Sequence, residues 1–155
     1  ILENYSDKYN IKYSILRFGA LYGFRSNHFN TINNFILEAI NKKKITRDTP
    51  GKEVRNYINA KDASKIVIKL MKKKYENNYF NIYGKNKTTI KKLVKTIGKL
   101  TNVKKLKFSN KTRDKNHYKT DPYTYKIKNG IKMLPDRKVN LESDLNEIIE
   151  NYKKK

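Results

Sequence analysis

Gly51-Lys-Glu-Val-Arg-Asn-Tyr-Ile-Asn-Ala-Lys-Asp-Ala63 is the stretch from which the fold class follows. Pro50-Gly51 marks a turn. Val54 to Ile58 is a short β-rich run that predicts a strand. Asp62 then suits the N-cap of a helix over about 63–74, with Val67, Leu70 and Met71 on one face. A strand passing directly into a helix is the unit from which α/β folds are built.

The pattern repeats in both directions. Downstream, Tyr79-Phe-Asn-Ile-Tyr83 predicts a short apolar strand that stops at Gly84. Thr88 or Thr89 can cap the next helix, where Ile90, Leu93, Val94, Ile97 and Leu100 give the cleanest 3.6-residue stripe in the chain. Residues 103–108 alternate as a strand does. Residues 109–139 are polar, include Pro122 and Pro135, and predict little regular structure. Asn140 caps a last helix bearing Leu141, Leu145, Ile148, Ile149 and Tyr152. Upstream, residues 11–18 predict a strand. Residues 19–28, with two glycines and no helical period, predict a loop. Phe29, Ile32, Phe35, Ile36, Ala39 and Ile40 then form an amphipathic helix. Residues 1–9 place Ile1, Leu2, Tyr5 and Tyr9 at helical spacing, as at the end of a helix that Asn10 breaks. Strands and helices alternate throughout, so the class is α/β.

The formal charge of +23 raises nucleic acid as a partner. Lysine, however, supplies 31 of the 37 basic residues. Lys, Asn, Ile and Tyr make up 80 of 155 residues, whereas alanine occurs four times. All four enriched residues have AT-rich codons, so the reading favours codon bias over a nucleic-acid function as the source of the charge. The lysine runs at 42–44, 72–74 and 153–155 sit near helix C-termini, where cations complement the helix dipole. The twelve tyrosines are spread along the chain as half-buried packing residues and not gathered into a stacking platform. Arginine is scarce at six residues, which makes each worth placing. Cysteine is absent, and with two histidines a structural zinc site is not expected. No apolar run is long enough to span a membrane, and the first residues lack the apolar stretch of a signal peptide. A cytoplasmic location is expected. The first residue is Ile1, which hints at a fragment.

Four ordered patterns carry a resemblance along nearly the whole chain. They are Ser14-Ile-Leu-Arg-Phe-Gly-Ala-Leu-Tyr-Gly23; the 51–63 stretch; Tyr79 to Gly84 followed by Thr89-Ile90; and Asp121-Pro122 with Gly130, Pro135 and Leu141-Glu142. Together they resemble the extended short-chain dehydrogenase/reductase family, which includes nucleotide-sugar epimerases and 4,6-dehydratases. The resemblance implies the C-terminal part of a Rossmann-type enzyme with a small mixed α/β substrate-binding lobe. Residues 1–23 would end the Rossmann domain. Residues 24–155 would be mainly the substrate lobe, with short returns to the Rossmann domain.

The family binds NAD or NADP through a glycine-rich turn at a helix N-terminus. It uses a Tyr-x-x-x-Lys pair whose tyrosinate is the base while hydride moves to the nicotinamide, the Lys lowering the tyrosine pKa. Neither motif occurs here in context. Tyr9 and Tyr13 have the spacing without the lysine, and Tyr118 lies in the wrong region. The resemblance therefore places the catalytic residues and most of the cofactor cradle upstream of Ile1, and implies that this chain alone turns nothing over. The implied partner is a nucleotide-diphosphate sugar, with a homodimer possible for a complete enzyme. A nucleic-acid partner is not expected, although a basic nucleic-acid-binding module is the rival class and a non-catalytic remnant a third.

By the same resemblance Arg55 binds the substrate diphosphate, as a guanidinium that grips phosphate oxygens two at a time. Arg113, with Tyr118 and Asp121 nearby, matches a second phosphate-side arginine. Gly19 and Ala20 follow the strand that ends beside the nicotinamide; many relatives carry Asn where Ala20 stands, and alanine offers no hydrogen bond there. Asn30 and Thr31, with Arg25, lie where the sugar nucleotide meets a helix, although Asn30 also suits a helix cap. Arg47 lies near the base-binding strand. Asp62 reads as a structural cap. His28 and His117 read as exposed.

Overall fold

A computed structural model describes residues 1–27, 29–85, 87–110, 130–138 and 140–154. In chain order the elements are α1 (Leu2–Tyr9), β1 (Ser14–Phe18), β2 (Ala20–Tyr22), α2 (Thr31–Lys42), β3 (Lys44–Arg47), β4 (Val54–Asn59), α3 (Ala60–Leu70), a 3-10 turn (Lys73–Tyr75), β5 (Asn78–Ile82), β6 (Lys87–Thr89), α4 (Ile90–Leu100), β7 (Lys105–Phe108), β8 (Ile131–Met133) and α5 (Leu141–Lys153). The α/β class stands. Three small sheets hold the strands, in the orders β1-β5-β8, β2-β4-β6 and β3-β7. All pairs are parallel except β4 with β6.

β4 separates two cores. Its alternating residues face opposite ways, as strand geometry requires. On one side Tyr57 joins Tyr22 and the apolar stripes of α2, α4 and α5, including Ile36, Leu93, Val94, Ile97, Leu145 and Ile149. On the other, Ile58 packs with Ala63, Ile66, Leu70, Phe80 and Ile82. Among the described residues β1 is an edge strand. Nearby, Ile1, Leu2, Tyr5, Tyr9 and Ile11 are exposed.

Several expectations need correcting. Residues 19–28 are not all loop, because Ala20–Tyr22 is a strand. Three residues are too few to show an alternation. This strand is held by parallel pairing of Ala20, Leu21 and Tyr22 with Tyr57, Ile58 and Asn59, residues distant in sequence. The helix expected at 63–74 runs over Ala60–Leu70 and is capped by Asn59, whose side chain accepts from Lys61 N at 2.9 Å. Asp62 lies inside its first turn, and its carboxylate is committed elsewhere. Strands β6 and β8 were not foreseen in their lysine-bearing stretches; long-range pairing makes them. Tyr5 and Tyr9 are more than half exposed, since α1 buries no residue.

Three caps fell where the sequence put them. Asn30 caps α2 and Thr89 caps α4. Asn140 caps α5, accepting from Glu142 N at 3.1 Å and Ser143 N at 3.2 Å. Asn140→Ala leaves both donors to water and is expected to cost about 1 kcal/mol in urea denaturation. An unchanged midpoint would show that the cap is idle.

Candidate functional site

One face of the β2-β4 pair carries both the candidate site and its support. Arg55, Tyr57 and Asn59 lie on this face of β4, two residues apart, beside Ala20 and Tyr22 of β2. At the Arg55 end lies a cavity of about 370 Å³ lined by Ala20, Leu21, Phe29, Asn30, Thr31, Ile32, Arg47, Arg55, Tyr57 and Ile90. The fold thus gathers four residues singled out from sequence, Ala20, Asn30, Thr31 and Arg55, and adds Arg47. Gly19 is not in the lining. A Cβ there would meet Asn56 O at 2.8 Å and Tyr83 Cβ at 2.9 Å, so packing alone requires a glycine. Arg113, Tyr118, Asp121, His28 and His117 lie outside the described residues.

The cavity is cationic. Arg55 donates from Nη1 to Val54 O at 2.8 Å, which folds the guanidinium against its own strand. Arg47 donates from Nη2 to Glu53 Oε1 at 3.3 Å. The Thr49 hydroxyl donates to the same oxygen at 2.6 Å. Burial works to raise the Glu53 carboxyl, but Thr49, the backbone and Arg47 outweigh it and hold it below the usual carboxylate range. Tyr57 is 7% exposed, and burial pushes its hydroxyl up to about 12 while Arg55 and Arg47 pull the other way. Asn30 has both ends of its amide engaged: Oδ1 accepts from Asn33 N at 3.1 Å, and Nδ2 donates to Leu21 O at 2.8 Å.

At the other end of the same face lies a buried charge cluster that the sequence reading missed. Arg137 donates from Nε to Asp62 at 2.7 and 3.0 Å, and from Nη2 to Asp144 Oδ2 at 2.7 Å. The Tyr22 hydroxyl donates to Asp144 Oδ2 at 2.6 Å, and Asn59 Nδ2 donates to it at 3.2 Å. Burial acts to raise the Asp144 carboxyl, yet bonds from Arg137, Tyr22 and Asn59 hold it below the usual range. Burial and the Asp144 bond push the Tyr22 hydroxyl well above its ordinary value. Tyr22 also packs edge-on against Tyr57, with ring centroids 6.3 Å apart. The cluster thereby fixes the wall of the cavity. The available signal was the scarcity of arginine, of which Arg137 is one of six.

Comparison with known proteins agrees with this architecture. The family model described as NAD dependent epimerase/dehydratase matches residues 1–84. No curated protein matches the chain. Among solved structures, UDP-glucose 4-epimerase from Thermotoga maritima superposes with a TM-score of 0.75 at 23% identity, over 99% of this chain and 50% of that one. UDP-N-acetylglucosamine 4-epimerase from Bacillus cereus gives 0.71 at 25% identity, over 97% and 52%. dTDP-glucose 4,6-dehydratase from Bacillus anthracis, in complex with NAD, gives 0.74 at 19% identity, over 97% and 48%. The chain therefore spans about half the length of these structures. No helix among the described residues is long and apolar enough to cross a membrane. With the family model covering more than half of it, the chain belongs to the NAD dependent epimerase/dehydratase family.

Proposed function

We propose that this chain is the nucleotide-sugar-binding part of an NAD-dependent enzyme that epimerises, dehydrates or reduces a sugar carbon. The observation that carries this reading is the cavity in which Arg55 meets Ala20, Asn30 and Thr31. A guanidinium at its wall suits the diphosphate of a nucleoside-diphosphate sugar. The glycine-rich turn is not in this sequence, and its two Tyr-x-x-x-Lys spacings, Tyr57 to Lys61 and Tyr83 to Lys87, do not lie within a helix, so the reading assigns base and hydride chemistry to residues outside it. NAD supplies the hydride acceptor in such an enzyme. Ala20 and the Gly19 turn are the positions here assigned to its nicotinamide side. Gly19 fits that place sterically, although its missing side chain is already required by Asn56 and Tyr83.

In this reading the parallel β1-β5-β8 sheet is the edge of the Rossmann domain, and α2, α4, α5 and β3-β7 form the substrate lobe. The short returns expected after residue 23 would then be 78–82 and 131–133, whose strands share a sheet with β1. The solved relatives include complexes with UDP-glucose and with UDP-glucuronic acid and NAD. The proposed partner is accordingly a UDP- or dTDP-linked sugar in a cytoplasmic enzyme.

Calorimetric titration of the chain with UDP-glucose and dTDP-glucose tests the reading. Binding of one of them, weakened by roughly tenfold or more in Arg55→Ala, is the expected result. Affinity unchanged by that substitution removes Arg55 from the site.

A further inference from the structure

We propose that the lysine-lined cleft beside β6, α4 and the start of α5 is a second binding site, one that takes a small anion carrying several phosphate groups. It shares no lining residue with the Arg55 cavity and does not depend on the nucleotide-sugar reading.

The cleft has a volume of about 760 Å³, within the usual range for small-molecule sites. Lys85, Lys87, Lys92 and Lys138 are four of its nine lining residues. Composition does not account for this, because lysine is 31 of 155 residues overall and the cavity beside Arg55 has none in its lining. Among the described residues none of the four has an ion-pair partner, whereas Lys61, Lys69, Lys99 and Lys153 each have one. Glu142 is the one acid in the described lining, and it is engaged by Lys99 at 3.1 Å. Lys85 donates to the carbonyls of Asp136 and Arg137, at 3.4 and 3.2 Å, which holds its ammonium at the wall.

The local sequence points the same way. α4 starts Ile90-Lys91-Lys92, with no acid in its first turn. A lysine there meets the positive end of the helix dipole, where a carboxylate is favoured. α5, by contrast, has Glu142 and Asp144 in its first turn. A bound anion would relieve the repulsion that α4 leaves standing. The N–H groups of Lys92 and Glu142 are already bonded to Thr89 and Asn140, so binding falls to the lysine ammoniums.

The lining also selects the kind of anion. Leu141 is its one described apolar residue, and no described aromatic lines it. It therefore offers neither a base-stacking platform for nucleic acid nor the apolar centre of a protein interface. Four point charges on flexible stems around a polar cleft suit a compact anion of several charges.

The test is calorimetric titration of the 155-residue chain with inorganic tripolyphosphate. The unaltered chain is expected to bind it, and Lys87→Gln with Lys92→Gln to weaken binding by roughly tenfold or more, through the loss of two charged contacts. Lys72→Gln with Lys104→Gln removes the same charge from exposed positions outside the cleft. That pair, and Arg55→Ala, should leave affinity within about twofold, because distant exposed charges are screened. Lys92→Glu supplies the acid that the start of α4 lacks, so its melting temperature should not fall while its tripolyphosphate affinity does. The proposal is overturned if the unaltered chain does not bind tripolyphosphate. It is overturned equally if the outer pair loses as much as the cleft pair, which would make the attraction a diffuse effect of the +23 charge. A loss confined to Arg55→Ala would put the anion in the other cavity and sink this site as well.

Discussion

Arg137→Ala should lower the unfolding free energy by about 3 kcal/mol, the lower end of the range for breaking a buried ion pair from one side. The lower end applies because the guanidinium is 39% exposed, whereas Asp62 and Asp144 are 4% and 6% exposed. Removing the cation leaves two buried carboxylates, of which only Asp144 keeps donors, from Tyr22 and Asn59. The pH dependence should also change sign. In the unaltered chain the Asp144 carboxyl is held below its unfolded value. Its contribution is therefore present above the ordinary carboxylate range and is lost as pH falls through the lower folded value. Without Arg137, desolvation and the neighbouring carboxylate dominate and raise the folded value. The variant should then gain stability as pH falls from 7 toward 5, while the unaltered chain holds steady or loses. Urea denaturation at several pH values measures both slopes, and parallel slopes would refute the assignment. Adding Asp144→Asn to Arg137→Ala should recover part of the loss, because one stranded charge is gone.

The same cluster shows what sequence could and could not reveal. The stripes of α2, α4 and α5 were legible because helical period repeats over three turns. The caps at Asn30, Thr89 and Asn140 were legible because one side chain bonds its own neighbours. Arg55 and Ala20 were legible through a motif. Arg137 was not, since its partners lie 75 positions away at Asp62 and seven away at Asp144, with no periodicity to join them. Strand β2 was hidden likewise, because three residues between two glycines carry no pattern and only the pairing with β4 makes them a strand. Arg47 could be set near a binding strand, but only the folded chain brings Arg47 of β3 and Arg55 of β4 to the lining of one cavity.

Gly84→Ala is expected to be the most damaging single methyl group in the chain. A Cβ at Gly84 would sit 1.8 Å from Tyr57 O and 2.9 Å from Tyr57 C. Both atoms are backbone of β4, so no side chain can turn aside. β4 would have to move away by more than an ångström, against its pairing with β2 and β6 and against both cores. Overpacking of this kind costs about 3 kcal/mol or more. The displaced carbonyl belongs to Tyr57, which lines the cavity, so UDP-glucose affinity should fall together with stability. Gly23→Ala is the control: there the added Cβ would meet the Ala60 side chain at 3.2 Å, a contact that a few tenths of an ångström relieve. Its cost should stay within about 1 kcal/mol. Urea unfolding of the two variants, side by side, measures the difference. A Gly84→Ala chain as stable as Gly23→Ala would mean that β4 is not held where the cavity needs it, and the placing of Arg55 at the cavity wall would lose its basis.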